Sequence, residues 1–380
     1  MRGQTTHNYL IIVAFHAPTI SGCDYATQTI EILGKRHRVI GLALGEPITW
    51  RDIFSSNNKK HIVEKHKQYT LFRPFFFVPG QRVLFIKQLN LFISAVLLSA
   101  YVSLFHAKKK KCFWFFEPFF MPTFFRVFSS YTTVFDCVDY FLTVQQPFLS
   151  HMIFMLRHAT CVFVNSFALQ KQYSSYRPDV TVVPLGFAYT LFHQKQFIPK
   201  RMVPGPKRIG FVGGIDDRLD YKLLYKTARV FKNSSFVFVG KNHFSNINTP
   251  PIVQALHSLS NVVFIDEVRK ADVPARIQSF DICLIPYDSR QLFNRYCFPM
   301  KAFEYFYYGK PVVSTPIEEL KRFPRFIHMG KTTSEWERNI RELLSKPWPN
   351  SYKRAQRELA TTNRWERKIQ VMMEHIRLDQ

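Results

Sequence analysis

Residues 298–315 read FPMKAFEYFYYGKPVVST, a stretch that contains a predicted helix, its end and the start of a buried strand. Pro299 suits the first turn of a helix, because the N–H group that proline lacks would have no partner there. Gly309 is typical of the residue that ends a helix, and Pro311 with the valines after it begins a strand. The stretch therefore predicts a helix followed by a strand of a buried sheet.

Two charged side chains stand near the start of this predicted helix. Lys301 and Glu304 are three residues apart and therefore share one face. A helix N-terminus attracts phosphate through its free N–H groups and its dipole, and a lysine there adds a full positive charge. The carboxylate of Glu304 suits the two hydroxyls of a ribose. The alternative is an ordinary surface Lys–Glu pair, which contributes little to stability.

Short apolar runs alternate with helical stretches along the 380 residues, and this pattern predicts buried parallel strands. The pattern breaks at 197–208, FIPKRMVPGPKR, whose prolines and glycine are typical of a linker. We therefore expect an α/β protein with two doubly wound, Rossmann-like domains facing across a cleft, residues 1–198 and 199–362. We expect the last helix, 363–380, to pack back towards the first domain.

Composition narrows the classes of partner. The 39 Phe and 17 Tyr exclude an intrinsically disordered chain, and 52 Lys+Arg against 27 Asp+Glu give a net charge of +25. Such a chain attracts anions: nucleic acid, nucleotide phosphates or an acidic membrane surface. No nucleic-acid-binding module is visible. The cysteines show no metal-binding spacing and are expected to be reduced in the cytosol; they are at 23, 112, 137, 161, 283 and 297.

One apolar stretch raises the question of a membrane. Residues 89–105 carry no charge, and four lysines follow at 108–111. The stretch predicts a helix that is buried or touches a membrane surface. The alternative is a helix inserted across the membrane, although such a helix needs about 20 apolar residues. The lysines form a solvated turn or rest on anionic headgroups. The run Tyr9–Phe15 has no cleavage site after it and is expected to be a buried strand, not a signal peptide.

The stretch 298–315 resembles the donor-site helix of GT-B glycosyltransferases, especially family 4 and its relatives among the bacterial polysaccharide and teichuronic-acid type sugar transferases. Further stretches resemble the motifs of that family in matching order, and the similarity covers about residues 110–378. They are 134–140 (VFDCVDY), 161–167 with Ser166, 182–187 (VVPLGF), 211–215 (FVGGI), 280–287 (FDICLIPY) and Trp365.

This resemblance implies a donor site in the second domain. Gly213 and Gly214 would let the backbone approach the donor diphosphate, because a side chain would block it. Lys301 would bind the diphosphate and Glu304 the ribose hydroxyls. Arg218, just beyond the glycine loop, is a candidate for a second positive charge on the leaving group, or an ordinary arginine at a helix start.

Four more residues are donor-site candidates by the same resemblance. Glu267 follows a strand where relatives contact the base, or it is a solvated loop residue. Tyr287 packs on the nucleotide or in the core, Asn294 stands where many relatives carry Asn, and Met300 resembles the Met of a Met-Lys pair in a related glucuronosyltransferase. Tyr296 departs from the family, because many members carry a second Glu there, so retention of stereochemistry is not assumed.

The first domain offers candidates for the acceptor. A carboxylate at the cleft can deprotonate the acceptor hydroxyl as a general base. Asp139 is favoured for this role and Asp136 is its rival, and one of the two is alternatively a helix cap. His16 and Asp24, in the first βα loop, are candidates for acceptor contact or ordinary loop residues, and Glu117 is a similar candidate.

The resemblance implies a glycosyltransferase that moves a sugar from a UDP- or GDP-linked donor to a glycan or polyprenyl-linked acceptor. No D-x-D triplet is present, so neither metal nor cofactor is expected. We expect a cytoplasmic protein on the inner face of the membrane, with the anionic surface and not nucleic acid as its partner. A nucleotide-sugar epimerase of GT-B shape and a basic nucleic-acid-binding protein stay open as alternatives.

Overall fold

The computed structural model describes residues 9–16, 25–54, 61–80, 82–118, 121–143, 146, 148–193, 207–244 and 249–376. The chain forms two compact units. Unit 1 comprises Met1–Pro184 together with Trp365–Gln380, and unit 2 comprises Leu185–Arg364.

The first break between the units differs from the predicted boundary at 198. Residues 185–193 belong to unit 2 because their contacts lie there. The Phe187 amide donates to the Asn363 carbonyl at 2.7 Å, and the Phe187 ring lies 5.0 Å from the ring of Tyr307. Most of the predicted linker, 197–206, lies outside the described residues.

Eleven of the described strands match predicted apolar runs to within two residues, and Ser235–Val239 matches in full. Five strands, at 48–49, 63–65, 70–72, 75–76 and 327–329, have no predicted counterpart. The described strands are sixteen in all. They are β1 (Tyr9–Phe15), β2 (Arg38–Ala43), β3 (Ile48–Thr49), β4 (Val63–Lys65), β5 (Thr70–Phe72), β6 (Phe75–Phe76), β7 (Lys110–Phe115), β8 (Thr132–Cys137), β9 (Cys161–Val164), β10 (Thr181–Val182), β11 (Arg208–Val212), β12 (Ser235–Val239), β13 (Val262–Ile265), β14 (Ile282–Ile285), β15 (Val312–Ser314) and β16 (Ile327–Met329).

Two short 3-10 turns lie at Lys270–Asp272 and Glu318–Arg322. The described helices lie between the strands, except for the last three, which follow β16. They are α1 (Tyr25–Gly34), α2 (Trp50–Phe54), α3 (Leu84–His106), α4 (Met121–Val127), α5 (Phe148–His158), α6 (Phe167–Tyr173), α7 (Tyr189–Phe192), α8 (Tyr221–Val230), α9 (Pro251–His257), α10 (Val273–Gln278), α11 (Leu292–Tyr296), α12 (Lys301–Tyr307), α13 (Thr333–Ser345), α14 (Asn350–Thr362) and α15 (Trp365–His375).

Each unit has its own doubly wound sheet. In unit 1 the strand order is β10-β9-β8-β7-β1-β2-β5-β4, parallel except where β4 pairs with β5. In unit 2 the order is β13-β12-β11-β14-β15-β16, with every pair parallel. The chain order reverses between β1 and β7 in unit 1 and between β11 and β14 in unit 2. Ligands of such sheets bind at these switch points, outside the carboxyl ends of the strands.

A buried ion pair joins the last helix to the sheet of unit 1. Lys368 on α15 places its Nζ 3.1 Å from the carboxylate of Asp136 on β8. Asp136 is 0% exposed and Lys368 is 4% exposed. Burial raises the pKa of Asp136, and the adjacent ammonium partly offsets that effect. The pair tethers a helix that is 232 residues away in the sequence.

Replacement of Lys368 by Met should destabilise unit 1, because it leaves the Asp136 carboxylate buried without its cation. Loss of one partner of a buried pair costs about 3–5 kcal/mol. We expect urea unfolding followed by intrinsic fluorescence to begin at a lower urea concentration. As a control, Arg341→Met breaks an exposed pair with Glu337 and should change the curve little. An unchanged curve for Lys368→Met would show that the pair does not hold α15.

Candidate functional site

The glycine loop after β11 lies beside the switch point of unit 2. Gly213 has a φ of +151°, a conformation that residues with a side chain rarely adopt. A Cβ built on Gly213 would lie 3.2 Å from the Lys301 Nζ and 3.0 Å from the ring of Phe211. The lysine of α12 therefore lies directly against the glycine that ends β11, and the absence of a side chain makes this approach possible.

Three side chains form a cationic cluster next to this glycine: Lys301, Tyr287 and Arg218. The Lys301 Nζ donates a hydrogen bond to the Tyr287 hydroxyl and lies 4.7 Å from the centre of that ring. The Arg218 guanidinium lies 5.4 Å from the same ring. Tyr287 is 4% exposed, so its ring holds both cations in place. Two positive charges at a glycine loop suit a phosphate group.

Arg218 is held by its neighbours in the loop. Its side chain forms an ion pair with Asp216 at 3.2 Å, and its carbonyl accepts hydrogen bonds from the Asp288 amide at 2.7 Å and from the Asn294 Nδ2 at 3.0 Å. Asn294 is 0% exposed. The structure therefore places the Asn294 Nδ2 behind the loop, where it helps to position Arg218, and the donor-binding role of Asn294 stays a prediction.

The predicted donor-site acids follow strands of the same sheet. Glu304 is half-buried on α12, and burial raises its pKa, while the charges of Lys301 and Lys270 oppose this. Within the described ranges its carboxylate makes no hydrogen bond or ion pair, so its oxygens can accept from a ligand. Glu267 is exposed just beyond β13, and Met300 is half-buried at the start of α12.

Sequence reasoning missed several residues that shape this loop. Gly240, which ends β12, also has a φ of +151°, and a Cβ on it would lie 2.0 Å from the Gly213 carbonyl oxygen. A Cβ on Gly214 would lie 3.5 Å from the His243 Nε2. The Tyr305 hydroxyl accepts from the Val212 amide at 3.2 Å. Glycine directly after an apolar strand is the signal that marks Gly240 in the sequence.

Unit 1 places titratable side chains at the carboxyl edge of its sheet. His16 follows β1, Glu117 follows β7 and Asp139 follows β8. Burial raises the pKa of Glu117 to about 7, the Tyr25 hydrogen bond lowers it, and the charge of Asp139 raises it further. The Tyr25 hydroxyl donates to the Glu117 carboxylate at 3.1 Å. Burial lowers the pKa of His16, as does the charge of Lys87.

The backbone around Asp139 is fixed by two side chains from neighbouring elements. The Tyr173 hydroxyl donates to the Asp139 carbonyl at 2.9 Å and accepts from the Phe141 amide at 3.1 Å. The Asn165 Nδ2 donates to the Val138 carbonyl. Asp139 is half-buried, whereas Asp136 is enclosed and paired with Lys368. The geometry therefore favours Asp139 over Asp136 as a group that meets a substrate. Asp24 lies outside the described residues.

Comparisons with known proteins show which proteins the chain resembles. Residues 206–346 match the model of the family described as glycosyl transferases group 1. TuaH of Bacillus subtilis (strain 168), named as a teichuronic acid biosynthesis glycosyltransferase, is 26% identical over 204 residues, which are 52% of this chain and 50% of TuaH. These matches support the predicted resemblance to family 4-like GT-B glycosyltransferases. The match spans about half the length of this curated relative.

Solved structures show the same fold over nearly the whole chain. Sucrose-phosphate synthase from Thermosynechococcus elongatus matches with a TM-score of 0.72 at 15% identity, over 97% of this chain and 98% of that chain. HepE of Anabaena, solved in complex with UDP and glucose, matches with a TM-score of 0.68 at 14% identity, over 97% and 99%. The predicted GT-B fold is confirmed.

The described residues include no group of three or more His, Cys, Asp or Glu side chains arranged to hold a metal ion.

Replacement of Glu117 by Gln should change the pH dependence of stability. The folded chain holds a proton on Glu117 up to about pH 7, above the value in the unfolded chain, so the wild type loses stability as the pH rises towards and past 7. Gln keeps the acceptor for Tyr25 and has no proton to lose. We expect the melting temperature of Glu117→Gln relative to wild type to be higher at pH 8.5 than at pH 5. An equal difference at both pH values would contradict the raised pKa.

Proposed function

We propose that this GT-B protein transfers a glycosyl group from a UDP- or GDP-linked sugar to a hydroxyl of a glycan or lipid-linked acceptor in cell-surface polysaccharide synthesis. The observation that carries the proposal is the approach of Lys301 to Gly213 at the switch point of unit 2. A cation beside an unobstructed backbone loop suits a diphosphate. The UDP in the HepE structure and the name of TuaH support the donor and the biosynthetic role.

The chemistry assigned to the cations follows from the leaving group. As the bond between the sugar and the nucleotide breaks, the diphosphate gains negative charge, and fixed positive charges stabilise that state most strongly. Lys301 has three protons on its Nζ, so it can keep its bond to Tyr287 and still donate to phosphate oxygens. Arg218 supplies the second charge. With two cations at the loop, we propose a reaction that needs no metal.

Two carboxylates are proposed to bind the nucleoside part of the donor, one at the ribose and one at the base. Within the described residues no partner engages the Glu304 carboxylate, and Glu304 shares a face of α12 with Lys301, three residues before it. Glu267, exposed beyond β13, is proposed to accept from an N–H of the base. Met300, which directly precedes Lys301, and Gly214 are proposed to contact the donor as well.

The acceptor is proposed to meet unit 1. Asp139 would take the proton of the attacking hydroxyl, since its backbone is fixed and its side chain is half-buried. Glu117 stands beside it, and its raised pKa suits a hydrogen bond to an acceptor hydroxyl at neutral pH. His16 completes this edge of the sheet. A lipid-linked acceptor places the enzyme at the cytoplasmic face of the cell membrane.

The direct test is incubation with UDP- and GDP-sugars, with and without polyprenyl-linked and glycan acceptors, followed by mass spectrometry. Transfer requires an acceptor and yields a glycosylated product. An altered nucleotide sugar formed without acceptor would instead show an epimerase and would refute the proposal.

Replacement of Lys301 by Ala should weaken UDP binding. We expect the Kd from isothermal titration calorimetry to rise about tenfold or more, which is about 1.4 kcal/mol. The matched control is Lys226→Ala, which removes an exposed lysine on α8 and should leave the Kd unchanged. Equal Kd values for both variants would remove Lys301 from the donor site.

Replacement of Asp139 by Asn should separate binding from turnover. We expect the variant to keep its UDP-dependent thermal shift and to lose transfer by roughly 100-fold or more, because a general base contributes about that much. The control Asp179→Asn changes an exposed acid paired with Arg177 in the same unit and should keep transfer. Normal turnover by Asp139→Asn would assign the base to another group.

A further inference from the structure

The helix α3 is apolar on its buried and its exposed sides alike. Its buried residues are Leu91, Ala95, Leu98 and Val102 together with Asn90 and Ser94. Its exposed large apolar side chains, here called the outer face, are Phe85, Leu89, Phe92, Val96, Leu97, Tyr101, Leu104 and Phe105. Phe85 is 72% and Leu104 79% exposed. A surface helix normally carries polar residues on its exposed side, so the outer face is suited to an apolar environment.

The buried polar groups tie α3 into unit 1. The Asn90 Nδ2 donates to the Val78 carbonyl at 2.8 Å and its Oδ1 accepts from the Val78 amide at 2.9 Å. The Ser94 hydroxyl donates to the Phe75 carbonyl at 3.1 Å. By length and composition α3 is able to cross a membrane. These hydrogen bonds, however, keep it packed against β6, and both its ends lead into strands of the same unit. We therefore infer that α3 stays packed on unit 1 and does not cross the membrane.

Basic residues flank the outer face at both ends. Arg82 precedes α3, and Lys108 and Lys110 follow it, all exposed. Within α3 no acid is present, and Lys87 is its one Lys or Arg. An apolar strip with cations at its ends complements a bilayer with anionic headgroups. Two copies of this chain, in contrast, would bring like charges together whether their α3 helices ran parallel or antiparallel.

A second element of unit 1 also exposes apolar side chains. Trp50, Ile53 and Phe54 on α2 are exposed, and the Trp50 Nε1 donates to the Phe77 carbonyl at 2.9 Å. Phe77 lies between β6 and α3, so α2 contacts the segment that leads into α3.

We propose that the outer face of α3 lies in the interface of a membrane that contains anionic lipid, with α3 parallel to the surface. Only residues 107–109 separate the end of α3 from the start of β7, so the last turn of α3 lies near the amino edge of the unit 1 sheet. The start of this 23-residue helix is therefore at the end nearer the carboxyl edge of that sheet. This arrangement, which rests on the proposed function, lets a lipid-linked acceptor reach that edge while its lipid stays in the bilayer.

The test is co-sedimentation of the full chain with vesicles of phosphatidylcholine alone and of phosphatidylcholine with phosphatidylglycerol. We expect binding to the anionic vesicles that weakens at high salt. Phe92→Gln with Leu104→Gln should lower the partition coefficient about tenfold or more. The control, Phe167→Gln with Val230→Gln, changes exposed apolar residues elsewhere and should bind as the wild type does. Lys108→Gln with Lys110→Gln should weaken binding about tenfold on anionic vesicles only.

Three outcomes would overturn the proposal. The first is no binding to either vesicle, or equal binding by the Phe92 and Leu104 variant. The second is resistance of the bound protein to alkaline carbonate, which would indicate a span. The third is a wild-type dimer in the absence of lipid, seen by sedimentation velocity, together with a monomeric Phe92 and Leu104 variant. That result would show that the outer face binds a second copy of the chain. The UDP-dependent thermal shift of each variant, expected to be unchanged, separates failure of this surface from failure of the donor site.

Discussion

The approach of the Lys301 ammonium to Gly213 is the contact on which the donor site depends. It requires a residue without a Cβ at the end of β11 and a helix that begins directly above it. The Tyr305 hydroxyl fixes that helix, because it accepts from the Val212 amide on β11 and donates to the Leu284 carbonyl on β14. The cation is therefore held against the two strands between which the chain order reverses.

Both units place their titratable groups at the carboxyl edge of a parallel sheet, but with opposite chemistry. Unit 2 presents Lys301 and Arg218, which suit the negative charge of a departing diphosphate. Unit 1 presents Glu117 and Asp139, which suit the proton of an attacking hydroxyl. A transfer reaction needs the cations as well as the carboxylates. In both sheets the ligand is expected at the carboxyl ends of the strands, so the chemical difference between the units comes from the residues in the loops that follow those strands.

The sequence predicts most of what depends on local pattern. Apolar runs such as Ser235–Val239 are found as strands, and the paired glycines directly follow β11, with Gly213 beside Lys301. Contacts between residues far apart in the chain are not visible in the sequence. Asp136 is the rival of the favoured Asp139 in the sequence, and only the structure shows that it is paired with Lys368, 232 residues away. In the same way, only the structure shows that the Asn294 side chain contacts the backbone of Arg218. The second unit begins at Leu185 and not after residue 198 as predicted, because Phe187 packs on Tyr307.

A crystal structure of the chain with UDP tests the donor site most directly. We expect the diphosphate at the Gly213–Gly214 loop, with phosphate oxygens within hydrogen-bonding distance of the Lys301 Nζ and the ribose hydroxyls on the Glu304 carboxylate. UDP bound elsewhere, or bound there while Lys301 contacts Tyr287 alone and Glu304 faces only solvent, would contradict this assignment.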